Sequence, residues 1–264
     1  MNYFEAILLA VVEGLTEFLP VSSTGHMIIA ASMMGMEPTA FTKTFMVSIQ
    51  LGAILAVVLM YLERFLQSFR FYLILLIGVL PAIVLGAAFD HWIDHAMERI
   101  DLVGYGLILG GIVLLFTDRF FNVEGYASAQ VTPKNSLIIG LFQCTAIMLP
   151  GISRSAATII GGLTRNLGRK RAAEFSFLLA VPTMCAATGY KLLVYFKDGA
   201  TLQASEFPIL ITGNLVAFAV AWFAMRRFVL FLEKHGFVVF GIYRIIAGFI
   251  ILGLYYAGFQ MSLM

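Results

Sequence analysis

Six stretches of this chain, near residues 42–62, 70–89, 102–119, 172–196, 207–228 and 237–258, are apolar almost without interruption. Each has about the 20 residues that a helix needs to cross ~30 Å of hydrocarbon. The chain therefore reads as an all-α polytopic membrane protein with six full spans. Composition agrees: 61% of the 264 residues are apolar and 12% charged, where a soluble domain has about 45–50% and about 25%. Water-soluble nucleic-acid binders, disordered tails and disulfide-stapled secreted modules are excluded. A net charge of +2 is too small to imply a polyanionic partner, so no nucleic acid is expected. Cys144 and Cys185 lie inside apolar runs and read as packing residues rather than a bridge. The first residues lack a basic region, and Glu13 and Glu17 interrupt the apolar stretch behind them, so no cleavable signal peptide is expected.

Two further apolar segments are broken. Residues 3–34 are interrupted at Pro20 within Leu19-Pro20-Val21-Ser22-Ser23-Thr24-Gly25-His26, and residues 134–163 at Pro150 within Leu149-Pro150-Gly151-Ile152-Ser153-Arg154-Ser155. Each arm is about 10–16 residues, or roughly 15–24 Å of helix, too short to span alone. Irregular backbone at membrane depth survives only where protein or a water-filled cavity surrounds it. Each break also carries hydroxyl, glycine or charged residues, which favours two re-entrant helical hairpins over two kinked spans.

The halves resemble each other. A shift of 130 residues places Leu19-Pro20 on Leu149-Pro150, Ser23 on Ser153, Ile29 on Ile159, Phe45 on Phe175 and Glu13 on Gln143. Tyr105-Gly106-Leu107-Ile108-Leu109-Gly110 matches Tyr243-Arg244-Ile245-Ile246-Ala247-Gly248 at a shift of 138. Residues 1–264 are expected to form a single integral membrane domain. It holds a first repeat over 1–120 and a second over 134–258, each with one re-entrant hairpin and three transmembrane helices. An odd number of crossings inverts the second repeat, and inverted repeats place their site between two broken helices. Residues 13–26 and 150–158 should therefore meet.

Loop charges set the orientation. Arg64, Arg70, Arg119, Lys134, Arg165, Arg169, Lys170, Arg171, Arg226, Arg227 and Lys234 fall on one side. The other side has Lys43, Arg99, Lys191 and Lys197, with Asp90, Asp94, Glu98 and Asp101. Positive-inside bias makes the first side cytoplasmic, so the mouth of the first hairpin faces outward. The run Arg169-Lys170-Arg171 then reads as a solvated topology signal.

Several polar residues interrupt the two hairpins. Glu13 and Glu17, four apart, share one helical face, and such a pair needs a proton, a partner or a cation. A divalent metal, Mg2+ or Ca2+, suits paired carboxylates that also meet phosphate oxygens. Ser22, Ser23 and Thr24, at the start of a half-helix, can offer donors to an anion or cap the helix. His26 lies three residues beyond Ser23, within reach as a proton-transfer partner for a nucleophile. Arg154 needs an anion, and its guanidinium suits bidentate phosphate binding beside Ser153, Ser155 and Thr158; an ion pair with Glu13 or Glu17 is the other reading. Together these groups make a phosphate-shaped site in a membrane, which suggests a lipid-attached phosphate.

The stretch Glu13 to His26, the motif Pro150-Gly151-Ile152-Ser153-Arg154-Ser155, and Glu174-Phe175-Ser176-Phe177-Leu178-Leu179-Ala180-Val181-Pro182 closely resemble the bacterial undecaprenyl-pyrophosphate phosphatase family linked to bacitracin resistance. The resemblance implies hydrolysis of undecaprenyl pyrophosphate to undecaprenyl phosphate and inorganic phosphate at the outer face of the cytoplasmic membrane, recycling the lipid carrier for peptidoglycan. It further implies that Glu13 and Glu17 serve a metal-linked motif and that Arg154 with Ser153 and Thr158 binds pyrophosphate. Ser23 is similar to the proposed nucleophile and His26 to its proton-transfer partner. Ala156 departs from the expected glycine and would narrow the phosphate loop.

Other features stay outside this constellation. Glu174 and Gln50, near span ends, could extend the network or simply pack. His91 and His95, flanked by Asp90 and Asp94, read as loop residues with an incidental surface role. Gly104, Gly106, Gly110 and Gly111 would let helices approach closely, within one chain or across a homodimer. The rival function is an inverted-repeat secondary transporter or lipid carrier flippase, since buried glutamates suit ion coupling. A Ser23/His26 pair opposite Arg154 is a feature that cation transport does not require.

Overall fold

Asn2 starts the first helix with a capping box, accepting from the Glu5 amide while the Glu5 carboxylate accepts from the Asn2 amide. The structure, a computed structural model, describes residues 1–97, 99–121, 131–197 and 202–259. Glu98 and the side chain of Asp94 lie outside the described residues. Among the described residues every regular element is helical.

The first half has two short helices, α1 (Tyr3–Thr16) and α2 (Ser23–Met33), then α3 (Ala40–Met60), the single turn α4 (Leu62–Phe65), α5 (Phe69–Ala88), α6 (Asp90–Met97) and α7 (Ile100–Phe120). The second half has two short helices, α8 (Pro133–Met148) and α9 (Arg154–Thr164), then long α10 (Arg169–Lys197), α11 (Phe207–His235) and α12 (Val238–Tyr256). The six long helices are those long and apolar enough to cross a membrane, and they coincide with the six expected stretches. α11 runs on to His235 because Phe228 and Leu232 bury themselves in the core beyond the apolar stretch.

The hairpins cross over between halves: α1 packs against α11, and α8 against α5, while α7 and α12 lie side by side. Lipid-facing surfaces remain apolar, as Leu215 on α11 and Phe249 on α12 illustrate with exposures of 63% and 62%. The small-residue stripe on α7 is used within the chain. Gly104 lies against Leu252, Gly110 against Arg244 and Gly111 against Gly241. Gly106 lets the Pro150 carbonyl touch the backbone of α7, and a methyl group there would collide with that carbonyl oxygen. Gly106→Ala is therefore expected to destabilise the protein by about 1–3 kcal/mol. Thermal unfolding in detergent checks this; an unchanged melting temperature would show that the loop yields.

Cys144 is buried, Cys185 faces outward, and both are free thiols. His91 and His95 sit on α6, and among the described residues no cluster of three or more His, Cys, Asp or Glu side chains is placed to hold a metal.

Candidate active site

At both hairpin breaks, side chains from other elements donate to the backbone carbonyls. The Leu19 carbonyl accepts from Ser155 Oγ at 2.7 Å and Ser153 Oγ at 3.4 Å. The Pro20 and Gly151 carbonyls accept from Arg244 Nη1 and Nη2, each at 3.0 Å. Arg244 also reaches the carbonyls of Gly106 and Leu107 on α7, at 3.2 and 3.4 Å, and is 0% exposed. One guanidinium on α12 thus ties both breaks to α7, as irregular backbone at membrane depth requires. Gly151 turns its break at φ +84°, beside the Val103 carbonyl.

Ser22 adopts φ +72°, a left-handed conformation that costs a serine on the order of 1–3 kcal/mol. It sits at the N-cap of α2 but makes no capping bond with its side chain. The turn it forms brings Ser23 back onto the end of α1. Ser23 Oγ donates to Glu17 Oε2 at 2.5 Å, and Arg154 Nη2 donates to Glu17 Oε1 at 2.9 Å. Glu17 is therefore the joint between the hairpins, with a hydroxyl on one oxygen and a guanidinium on the other. The expected meeting of residues 13–26 with 150–158 is present, and so is the ion pair weighed for Arg154.

Glu13 lies beside Glu17, one helical turn earlier, and is 0% exposed. Among the described residues no donor lies on either of its carboxylate oxygens, and the buried Arg154 Nη1 has no acceptor. Buried charged groups without partners are costly. Glu13 on α1 and Arg154 on α9 thus lie on either side of Glu17, each with a buried polar atom left over. Gln143 on α8, which the 130-residue shift sets against Glu13, exchanges hydrogen bonds with Thr183 through its amide. The carboxylates come from the first half alone.

The His26 ring does not face Ser23. The Ser22 carbonyl accepts from Nδ1 at 2.8 Å, and Nε2 meets the Tyr243 hydroxyl at 2.6 Å with the two rings stacked. The structure instead pairs Ser23 with Glu17. Ser153 caps α9 through the Ala156 amide at 3.3 Å, and Ala156 buries its methyl group in the core. Thr158 donates to the Arg154 carbonyl and shares a 2.6 Å bond with Ser176. Ser153, Ser155 and Thr158 thus hold the Arg154 loop in place with their hydroxyls. Thr24 occupies the first turn of α2 beside Ser23. Gln50 meets Thr188, and Glu174 lies 3.9 Å from Arg171.

Residues 6–250 match the family model described as bacitracin resistance protein BacA. The chain belongs to the BacA family. It is 52% identical over 252 residues to the undecaprenyl-diphosphatase of Flavobacterium psychrophilum, covering 96% of this chain and 95% of that one. It is 53% identical over 254 residues to the undecaprenyl-diphosphatase of Flavobacterium johnsoniae, covering 96% of each. The undecaprenyl-diphosphatase of Bdellovibrio bacteriovorus is 47% identical across the whole of both chains.

In this BacA-family chain, sequence reasoning passed over two residues of the site's surroundings, Tyr243 and Arg244. Their signal was present: an arginine in the middle of an apolar span is as costly as Arg154, and calls for internal partners by the same reasoning.

Proposed function

We propose that this chain is an undecaprenyl-diphosphate phosphatase that hydrolyses its lipid substrate to undecaprenyl phosphate and inorganic phosphate. The observation that carries the reading is Glu17 held between Ser23 Oγ and Arg154, with a further guanidinium nitrogen of Arg154 buried and unpaired. Cation transport has no need of a hydroxyl on a carboxylate opposite an arginine. The chain is a multi-pass membrane protein, and its basic loops support a cytoplasmic-membrane location with the site opening outward. The two halves, 1–120 and 134–258, support inverted repeats whose broken helices form the site.

The terminal phosphate docks on Arg154, whose free Nη1 donates to a phosphate oxygen first. As the guanidinium turns to the phosphate, Glu17 keeps its contact with Ser23 Oγ. Ser23 Oγ then attacks the terminal phosphorus and passes its proton to Glu17. The Ser23 Oγ–P bond forms as the bridging P–O bond breaks, and undecaprenyl phosphate leaves carrying the proton that Glu17 took from Ser23, which returns Glu17 to a carboxylate. Water attacks the phosphoserine, Glu17 takes the water proton, and that proton returns to Ser23 as inorganic phosphate departs. The Tyr243-bound His26 holds the Ser22 carbonyl, and with it the strained turn that aims Ser23.

Glu13 and Glu17 fit a divalent cation, Mg2+ or Ca2+, because Glu13 has both oxygens free of donors and substrate oxygens can complete the shell. Such an ion supplies charge neutralisation for the diphosphate. The purified protein is expected to release inorganic phosphate from undecaprenyl diphosphate. Chelation should remove that activity and added Mg2+ or Ca2+ restore it. No release from folded protein, with or without divalent ions, would overturn the phosphatase reading. Release untouched by chelation would overturn the metal assignment alone. Recovery of phosphate on Ser23 after a rapid acid quench separates serine attack from direct attack by water.

A further inference from the structure

The three-cation run at the start of α10 divides its charges unequally. Arg169 donates twice to Asp118, at 2.9 and 2.7 Å, and Lys170 meets Glu233 at 3.6 Å. Among the described residues, Arg171 has only the Glu174 carboxylate, at 3.9 Å. Arg171 and Glu174 line a cavity of about 260 Å³ together with Tyr61 and Arg64. No acidic side chain lies within ion-pair distance of Arg64 among the described residues, so two guanidiniums face one carboxylate across this space. Burial and the Glu174 carboxylate push the Tyr61 phenol above its usual range, which keeps it a hydroxyl donor.

The walls of the cavity have a different character. Phe71 and Ile74 on α5 and Phe175 and Leu178 on α10 line it, and these residues lie on membrane-spanning helices. An apolar floor set in the spans lies beneath a rim of arginine, tyrosine and glutamine at the helix ends on the basic face. A free anion would use the rim alone. A lipid would use both, its phosphate on the guanidiniums and the first part of its chains along the aromatic floor.

We infer that the cavity between the α3–α4 turn, α5 and α10 binds the phosphate headgroup of an anionic phospholipid from the leaflet on the basic face. It is a site separate from Glu13, Glu17, Ser23 and Arg154. Arg64 and Arg171 hold the phosphate and Tyr61 donates to it. Glu174, which opens one of the stretches that resemble the family, here lies 3.9 Å from Arg171 and keeps it turned inward.

Native mass spectrometry of the detergent-purified protein, mixed with equal phosphatidylglycerol and phosphatidylcholine, tests the site. Wild type is expected to retain one phosphatidylglycerol, with a preference over phosphatidylcholine of about 30-fold, since each arginine near a headgroup contributes about fivefold. Arg64→Gln/Arg171→Gln should bring the preference close to one. Arg64→Gln alone, at an exposed position, should lower it about fivefold. Arg226→Gln/Arg227→Gln, on the same face but outside the cavity, should keep it. All these variants should release phosphate from undecaprenyl diphosphate within about twofold of wild type, which also reports that they fold. Equal preference in Arg64→Gln and wild type would overturn the site. So would equal loss in Arg226→Gln/Arg227→Gln, which would indicate surface charge alone. Displacement of the lipid by excess inorganic phosphate would overturn the lipid in favour of a free anion.

Discussion

Arg154→Ala is expected to lower kcat for phosphate release by about a thousandfold. A guanidinium aimed at a transferring phosphoryl group stabilises charge that develops in the transition state, and its removal costs on the order of 10²–10⁵ in rate. The same change breaks a buried pair with Glu17, which destabilises by about 3–5 kcal/mol. Stability loss alone could lower activity, so a second variant is needed. Glu17→Gln/Arg154→Ala removes both charges together and should recover most of the lost melting temperature while remaining inactive. Arg154→Lys keeps the charge but lacks the fork, and should restore no more than about a tenth of wild-type kcat. These rates and melting curves separate a phosphate-binding arginine from a merely structural one. Recovery of activity in the double variant would show that the pair only holds the hairpins together.

The spans were legible because bilayer thickness fixes a length and a composition that few other sequences share. The two breaks were legible for the opposite reason, since Pro20 and Pro150 bring hydroxyls and charge into segments that should have neither. Side-chain pairing within the breaks was not legible. Spacing along α2 places His26 near Ser23, but Ser22 at φ +72° folds Ser23 onto Glu17, and the periodicity of α2 says nothing of how that preceding turn sets the helix against α1. His26 was drawn away by Tyr243, a residue 217 positions distant. The hydroxyls of Ser153 and Ser155 read as phosphate ligands because their second role could not be seen. Past the end of α1 the Leu19 carbonyl accepts from the Val21 amide of its own turn and still has capacity for side-chain donors, which Ser153 and Ser155 supply. The cavity beside Arg64 was out of reach, because it depends on which of three adjacent cations already has an acid.

Arg244→Met is expected to cost both stability and catalysis, and the two losses should be separable. The guanidinium is wholly buried, and its partners are the carbonyls of Pro20, Gly106, Leu107 and Gly151. Methionine fills similar volume but leaves all four acceptors without that donor, so a loss of about 3–5 kcal/mol is expected. At about 2–4 °C per kcal/mol this lowers the melting temperature by about 10 °C. At a temperature where the variant remains folded, kcat should still fall by about a hundredfold, the cost of misplacing reacting groups by about 1 Å. The reason is geometric: Pro20 precedes Ser23 and Gly151 precedes Arg154, so Arg244 sets the spacing between nucleophile and phosphate site. KM should change far less, because Arg154 still offers its charge to the diphosphate. Arg244→Lys keeps a charge but can reach fewer of the four carbonyls, and should fall between the two. A melting temperature and kcat both equal to wild type in Arg244→Met would show that the breaks hold their spacing without it. A lowered melting temperature with unchanged kcat would confine Arg244 to stability, and leave the positioning of Ser23 to the Ser22 turn and its His26–Tyr243 support.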